Sequence, residues 1–200
     1  MITTLERVDC LLLDDDVTEA LRRWALSFGP QLDRARMMVR SLAHGVLLWG
    51  VVDPGELVWT GSWGPDVLYL VLGAGTVGRA LSQAVEEEGP WLKSMATAAL
   101  GKGQERFFRR VEEWARGKRL PVGSFYAPGS AGALPLTLNV AVGQLLRLAE
   151  IDMIVHDDGR LEPTYSWVGM VPLGKGSDRV SFLCSECSYA PSCPLRRDDP

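Results

Sequence analysis

Three groups of residues in this chain have the types and spacing that carry chemistry. The first is Cys184-Ser-Glu-Cys187, followed by Cys193 after a short loop containing Pro191. A Cys-x-x-Cys pair brings two thiolates to one metal ion from a tight turn, and a third cysteine shortly after can close on the same ion. Cysteine followed by proline, as at Cys193-Pro194, also recurs in iron–sulfur motifs. Zinc and an iron–sulfur cluster are therefore both open, and the same spacing is compatible with a redox-active disulfide or with three plain tail thiols. Three thiolates leave a fourth position, for which Cys10, His44, His156 and an exogenous ligand are the candidates. The second group is Gly73-x-Gly75-x-x-Gly78, which follows an apolar run and opens a helical pattern. That is the local context of a dinucleotide-binding fingerprint and would make the chain a nicotinamide-dependent oxidoreductase. Such a site needs a further strand ending in Asp or Glu about twenty residues on. Here Glu86-Glu-Glu-Gly-Pro-Trp91 runs into helical periodicity instead. The third is residues 123–136, Gly-Ser-Phe-Tyr-Ala-Pro-Gly-Ser-Ala-Gly-Ala-Leu-Pro-Leu. Its glycines and prolines cannot continue a helix or a central strand. A stiff, small-residue loop before a helix N-terminus, where unpaired N–H groups point outward, can cradle a small molecule or simply cross the surface. No Ser/His/Asp or paired-carboxylate constellation is present and only two histidines exist to build one, so no catalytic residue is assigned and a hydrolase is disfavoured.

The elements that must position these groups follow from periodicity. Residues 8–13 read as a short strand ending in Asp14-Asp-Asp16, an acidic run suited to cap a helix. Val17, Leu21, Trp24 and Phe28 then recur at helical spacing up to Gly29-Pro30. Pro30 opens a second helix with Leu32, Ala35, Met38, Val39 and Leu42 on one face, closed by Gly45. Residues 45–52 and 57–60 read as strands, with Asp53-Pro-Gly-Glu56 and Trp63-Gly-Pro-Asp66 as turns, and residues 67–72 as a further strand. From Pro90 a long helical stretch carries two stripes: Leu92, Met95, Ala96 and Ala99, then Phe107, Val111 and Trp114. Gly101 and Gly103 lie between them, each costing a helix about 1 kcal/mol, and predict a kink or break. Between Lys102 and Arg119, seven basic residues stand against three glutamates. That is either a solvated face with ion pairs or a docking surface for an acidic partner, such as an electron-transfer protein. Leu138, Val142, Leu145 and Ala149 make a last helix face, residues 151–155 a strand, and Asp157-Asp-Gly159 a tight turn. Residues 165–171 and 180–183 complete an antiparallel set.

Two hundred residues make one ordinary domain with room for a small appendage. Hydrophobic content of 46% and charged content of 23% are those of a globular protein. A net charge of −4 argues against general nucleic-acid binding, and no apolar run reaches the length of a membrane span. The N-terminus lacks the basic start and apolar core of a signal peptide, so the expected location is the cytoplasm. The expected fold is α+β, an antiparallel or mixed sheet packed with helices and a small N-terminal helical cap. Its expected organisation is a cap with the first strand over 1–55, a main domain over 56–183 and a cysteine-rich metal-binding tail over 184–200.

Tyr126-Ala-Pro-Gly129, Leu134-Pro-Leu136 and the helix after them resemble the S-adenosylmethionine-binding segment of the reactivation domain of cobalamin-dependent methionine synthase. Downstream, Ile151-Asp-Met-Ile-Val155, His156-Asp-Asp158 and Pro163-Thr-Tyr-Ser166-Trp-Val-Gly169 resemble that family's strand, acidic turn and Pro-x-x-Ser-x-x-Gly segment. Upstream, Leu70-Val-Leu-Gly73 resembles its strand and glycine turn, and Cys193-Pro-Leu-Arg196 the ending of stand-alone relatives with a cysteine-rich tail. The resemblance implies a ligand loop of Phe125, Tyr126, Ala127, Pro128, Gly129 and Ser130, and a metal site at Cys184, Cys187 and Cys193. It implies S-adenosylmethionine as ligand, a cobalamin or other corrinoid presented by a partner protein or methyltransferase, and a role in reductive methylation of that corrinoid. Phe125 and Ser130 stand where the family has Arg and Tyr, and a phenyl ring cannot pair a carboxylate as a guanidinium does. The same scaffold could therefore serve instead as a metal-bearing partner or assembly module without that ligand.

Overall fold

Alternation along the strands decides how this chain is layered. The computed structural model describes residues 3–10, 12–57, 63–129 and 134–175. In chain order these form β1 (Thr3–Val8), α1 (Asp14–Arg23), α2 (Pro30–Leu42), β2 (Gly45–Val52), β3 (Val67–Thr76), α3 (Arg79–Glu87), α4 (Pro90–Lys118), α5 (Leu138–Leu146), β4 (Ile154–Val155), β5 (Leu161–Glu162) and β6 (Ser166–Gly174). Four strands pair antiparallel in the order β1-β2-β3-β6, and β4-β5 is a separate two-stranded hairpin. The fold is α+β.

Because successive side chains point to opposite faces, β2, β3 and β6 feed two cores. Leu48, Val52, Leu70, Leu72, Ala74, Val168 and Met170 face α5 at Leu138, Val142 and Leu146. Leu47, Val71, Trp167, Val171 and Leu173 face α4 at Phe107, Val111 and Ala115. Both faces of the sheet are covered, which is why β3 and β6 are apolar almost throughout and not alternating. The first half of α4 packs through Leu92, Met95, Ala96 and Ala99 against Val17, Leu21, Leu32 and Val39 of α1 and α2. The two stripes of α4 thus serve two cores, and α1 and α2 form the N-terminal helical cap.

Several expectations are corrected. The first strand lies at Thr3–Val8 and not at 8–13. Cys10 and Leu12 instead turn inward into the core of the helical cap. The acidic run forms the first turn of α1 and does not cap it; Leu13 is the cap, its N–H donating to Asp16 Oδ2 at 2.8 Å. That helix stops at Arg23, and Phe28 is exposed. Helix α4 runs unbroken for 29 residues through both glycines, since packing along its length outweighs their roughly 1 kcal/mol propensity cost. Helix α5 ends at Leu146, leaving Ala149 exposed in a short 3-10 turn, and only Ile154–Val155 of the expected 151–155 strand is extended. The expected strand at 180–183 and residues 58–60 of the one at 57–60 lie outside the described residues.

Candidate functional site

The segment before α5 is laid along the free edge of β6. Tyr126 and Met170 exchange N–H···O bonds of 2.8 Å in both directions, and Gly123 N–H donates to Pro172 O at 2.9 Å. Pairing is antiparallel, so continuing past Tyr126 carries Ala127 and Pro128 alongside Gly169 and Val168, towards Ser166. Gly129 then turns the chain. Its φ is +81°, its N–H donates to Leu134 O at 2.8 Å, and a Cβ there would lie 2.8 Å from Leu136 Cδ1.

Opposite this turn stands the start of α3. Thr76 Oγ1 donates to Tyr165 O at 3.3 Å and accepts from Gly78 N–H at 3.0 Å, which ties the helix start to the strand start. Between the two walls is a cleft of about 730 Å³, within the range of small-molecule sites. Arg79, Gln83 and Glu86 of α3 line one side, Ala127, Pro128 and Asn139 the other, and the 156–164 hairpin closes the rim.

Of the lining residues, Asn139, Ser166 and Trp167 each carry a buried side-chain atom without a partner among the described residues, and the Trp167 ring lies on the α4 face with Phe107 and Phe125, which leaves two for the cleft. Asn139 is 3% exposed, and its Nδ2 donates to Gly159 O at 2.9 Å while Oδ1 accepts nothing. That contact exists because Gly159, at φ +85°, lies so close to Leu136 O that a Cβ would come within 2.2 Å of it. Ser166 Oγ is likewise buried and unpaired, and the parity of β6 places it on the α5 face with Val168. An unsatisfied buried polar group costs about 1–3 kcal/mol, so a pair of them in one cleft marks a place where an outside partner belongs.

The charges are arranged around the rim. Arg79 Nη1 donates to Glu162 Oε1 across the cleft, and the guanidinium holds that carboxyl below its usual range. His156 Nε2 lies 3.4 Å from the other oxygen of Glu162. Arg160 Nε donates to Asp158 Oδ2 at 2.6 Å on the same turn. A second cleft of about 600 Å³ shares Arg79 and Pro163 with the first and carries Arg7 and His44.

The loop residues are divided by this geometry. Ala127 and Pro128 line the cleft, whereas Phe125 and Tyr126 do not. Phe125 points to the α4 face, edge-on to Phe107, Phe108 and Trp167 with ring centroids 6.2, 5.5 and 5.9 Å away. Gly169 makes room for it, since a Cβ there would sit 2.1 Å from Phe125 Cζ. Tyr126 is buried and meets Trp63 edge-on at 5.6 Å. Ser130 and Cys184, Cys187 and Cys193 lie outside the described residues. Among the described residues no group of three or more His, Cys, Asp or Glu is placed to hold a metal. Cys10 is buried, which pushes its thiol pKa up, and its Sγ approaches Val8 O at 3.8 Å.

The glycine fingerprint is corrected by its surroundings. Gly73 and Gly75 lie inside β3, antiparallel to both neighbours, so no glycine turn follows residues 70–72. A Cβ at Gly73 would lie 2.5 Å from Phe107 and one at Gly75 2.6 Å from Trp167 Nε1. They admit aromatic rings, not a pyrophosphate. Only Gly78, at φ +91°, serves a helix start, and α3 leads into α4 without the second parallel strand that a dinucleotide site needs.

Sequence reasoning passes over Arg79, Asn139, Arg160 and Glu162. Asn139 has a signal, a lone amide on the apolar face that Leu138, Val142 and Leu146 define. Arg79 and Glu162 have none, being ordinary surface charges until the fold brings them together.

No protein-family model matches the sequence, and no curated protein matches it. A solved structure does match in fold: a crystal structure of the MetH reactivation domain bound to AdoHcy superposes with a TM-score of 0.59. The match covers 91% of this chain and 81% of that one at 13% identity.

Proposed function

We propose that this protein is a reactivation-domain-like module of corrinoid methyl transfer that takes an S-adenosyl ligand into the cleft between α3 and the Ala127-Pro128 turn. The observation that carries the reading is the pair of buried, unpartnered atoms, Asn139 Oδ1 and Ser166 Oγ, in a cleft of ligand size. Support comes also from the shared fold, whose solved example is bound to AdoHcy. Asn139 Oδ1 accepts from a ligand donor such as an amine or ammonium, Ser166 Oγ donates or accepts, and Pro128 supplies an apolar wall. S-adenosylmethionine, when bound, supplies a methyl group, and the corrinoid that receives it is presented by a partner protein. This chain's residues bind and orient, and the reaction asks no acid or base of them.

Calorimetric titration with S-adenosylmethionine and S-adenosylhomocysteine tests this. Binding by the native protein, weakened about tenfold in Asn139→Ala through loss of a hydrogen bond and exposure of Gly159 O, is expected. No heat at millimolar ligand contradicts it.

A second reading keeps the scaffold and drops the ligand. It is favoured by Phe125, whose ring is committed to the aromatic cluster and supplies the cleft with no charge. The chain is then a metal-bearing partner or assembly module, with zinc or an iron–sulfur cluster at Cys184, Cys187 and Cys193. Metal analysis and an absorption spectrum of protein purified without oxygen, beside a variant with all three changed to Ala, test that site. In either reading, Arg109, Arg116 and Arg119 on α4 and its C-terminal cap are exposed and make no ion pair among the described residues. They suit an acidic electron-transfer protein.

A further inference from the structure

Arg79 stands out among the cations of the cleft. It is the first residue of α3, where unpaired N–H groups and the positive end of the helix dipole add to its own charge. The helix is held rigidly, with Leu81 and Val85 buried in the core of the helical cap. Its partner, Glu162, comes from β5 on the opposite rim, and the pair is half exposed. Glu162 also has His156 beside it at 3.4 Å, so it keeps a neighbour if Arg79 leaves. Arg160 is built differently. Asp158 takes both its Nε–H at 2.6 Å and its backbone N–H at 3.0 Å, a closed local ring on an exposed turn. Phe125 contributes nothing charged.

From this arrangement we infer that Arg79 is the anion-binding residue of the cleft, and that Glu162 is a built-in competitor which the carboxylate of an incoming ligand displaces. The inference rests on the S-adenosyl reading of the cleft and names the part of the ligand that is selected, its amino-acid end. Asn139 Oδ1 is the unpaired acceptor that suits the ammonium of the same end. An exposed ion pair contributes little, so exchanging one carboxylate for another at Arg79 costs little, and the ligand gains the acceptors in the cleft.

The test compares S-adenosylhomocysteine with 5′-methylthioadenosine, which has the nucleoside and thioether but no amino-acid end, by calorimetry. Arg79→Gln is expected to weaken S-adenosylhomocysteine by about 10- to 100-fold, the range for losing a charge-assisted hydrogen bond, and to leave 5′-methylthioadenosine unchanged. Glu162→Gln is expected to tighten S-adenosylhomocysteine by a few-fold, which a merely structural role of the pair would not do. Melting curves of the variants check that both remain folded. If Arg79→Gln binds S-adenosylhomocysteine as the native protein does, or if the loss follows Arg160→Gln instead, the inference is overturned and the S-adenosyl reading stands. Equal native affinity for the two compounds overturns it in the same way. If the native protein binds neither compound, the S-adenosyl reading itself has failed and the inference falls with it.

Discussion

Glu6 shows how much one carboxylate can organise. On β1 it accepts from Trp49 Nε1 at 3.0 Å, from Arg106 Nε at 2.9 Å and from Arg110 Nε at 2.7 Å, with its side chain 12% exposed. It joins the edge strand to the long helix, and the arginine hydrogen bonds hold its pKa down at about 2 against burial, which pulls the other way. A depressed carboxyl stabilises the fold above its unfolded pKa and loses that contribution as the pH falls. The Glu6 contribution is therefore complete above about pH 4.5 and fades towards pH 2. Glu6→Gln is expected to lower stability by about 2–3 kcal/mol at pH 7, because two guanidinium groups lose their counter-charge. Urea unfolding at pH 7 and pH 3 checks this, and the gap between native and variant should narrow at the lower pH. The same residue accounts for two of the seven basic residues between Lys102 and Arg119. From the sequence, Arg106 and Arg110 can be solvated or docking charges, and in the fold they are structural.

At the scale of elements, glycines with similar sequence settings have opposite jobs. A Cβ at Gly101 of α4 would meet nothing within 4 Å, whereas a Cβ at Gly73 would lie 2.5 Å from the ring of Phe107. Gly101→Ala is expected to raise stability by up to about 1 kcal/mol, the helix-propensity difference. Gly73→Ala is expected to lower it by about 1–3 kcal/mol through overpacking. Thermal melts of the two variants settle both signs. This contrast marks where the sequence is legible. The strand at 45–52, the helix from Pro30, both stripes of α4 and the tight turn at 157–159 follow from periodicity and turn chemistry, because those signals are local. The role of Gly73 and Gly75 does not, because it depends on Phe107 and Trp167 arriving from distant parts of the chain. Helix continuity through Gly101 and Gly103 is hidden for the same reason, since tertiary packing outweighs propensity.

At the scale of the whole molecule, a sheet covered on both faces presents its candidate site at the start of β6, where three separate segments meet. The start of α3 and the β4-β5 hairpin bring the charged groups and the loop after Tyr126 the apolar wall of Ala127 and Pro128, a set that no single stretch of sequence contains. The loop can be recognised from its own residues, and Ala127 and Pro128 do line the cleft. The cations and the unpaired amide around them cannot, because their meeting is a product of topology. The fold agrees with a MetH reactivation domain over most of both chains at 13% identity, so shared geometry with altered side chains is the pattern to test. The most direct measurement is an amide chemical-shift map of isotope-labelled protein titrated with S-adenosylhomocysteine. Shifts that saturate and centre on Ala127, Asn139, Gly159 and Ser166 are expected. No shifts at millimolar ligand, or shifts confined to the exposed face of α4, would contradict the S-adenosyl reading.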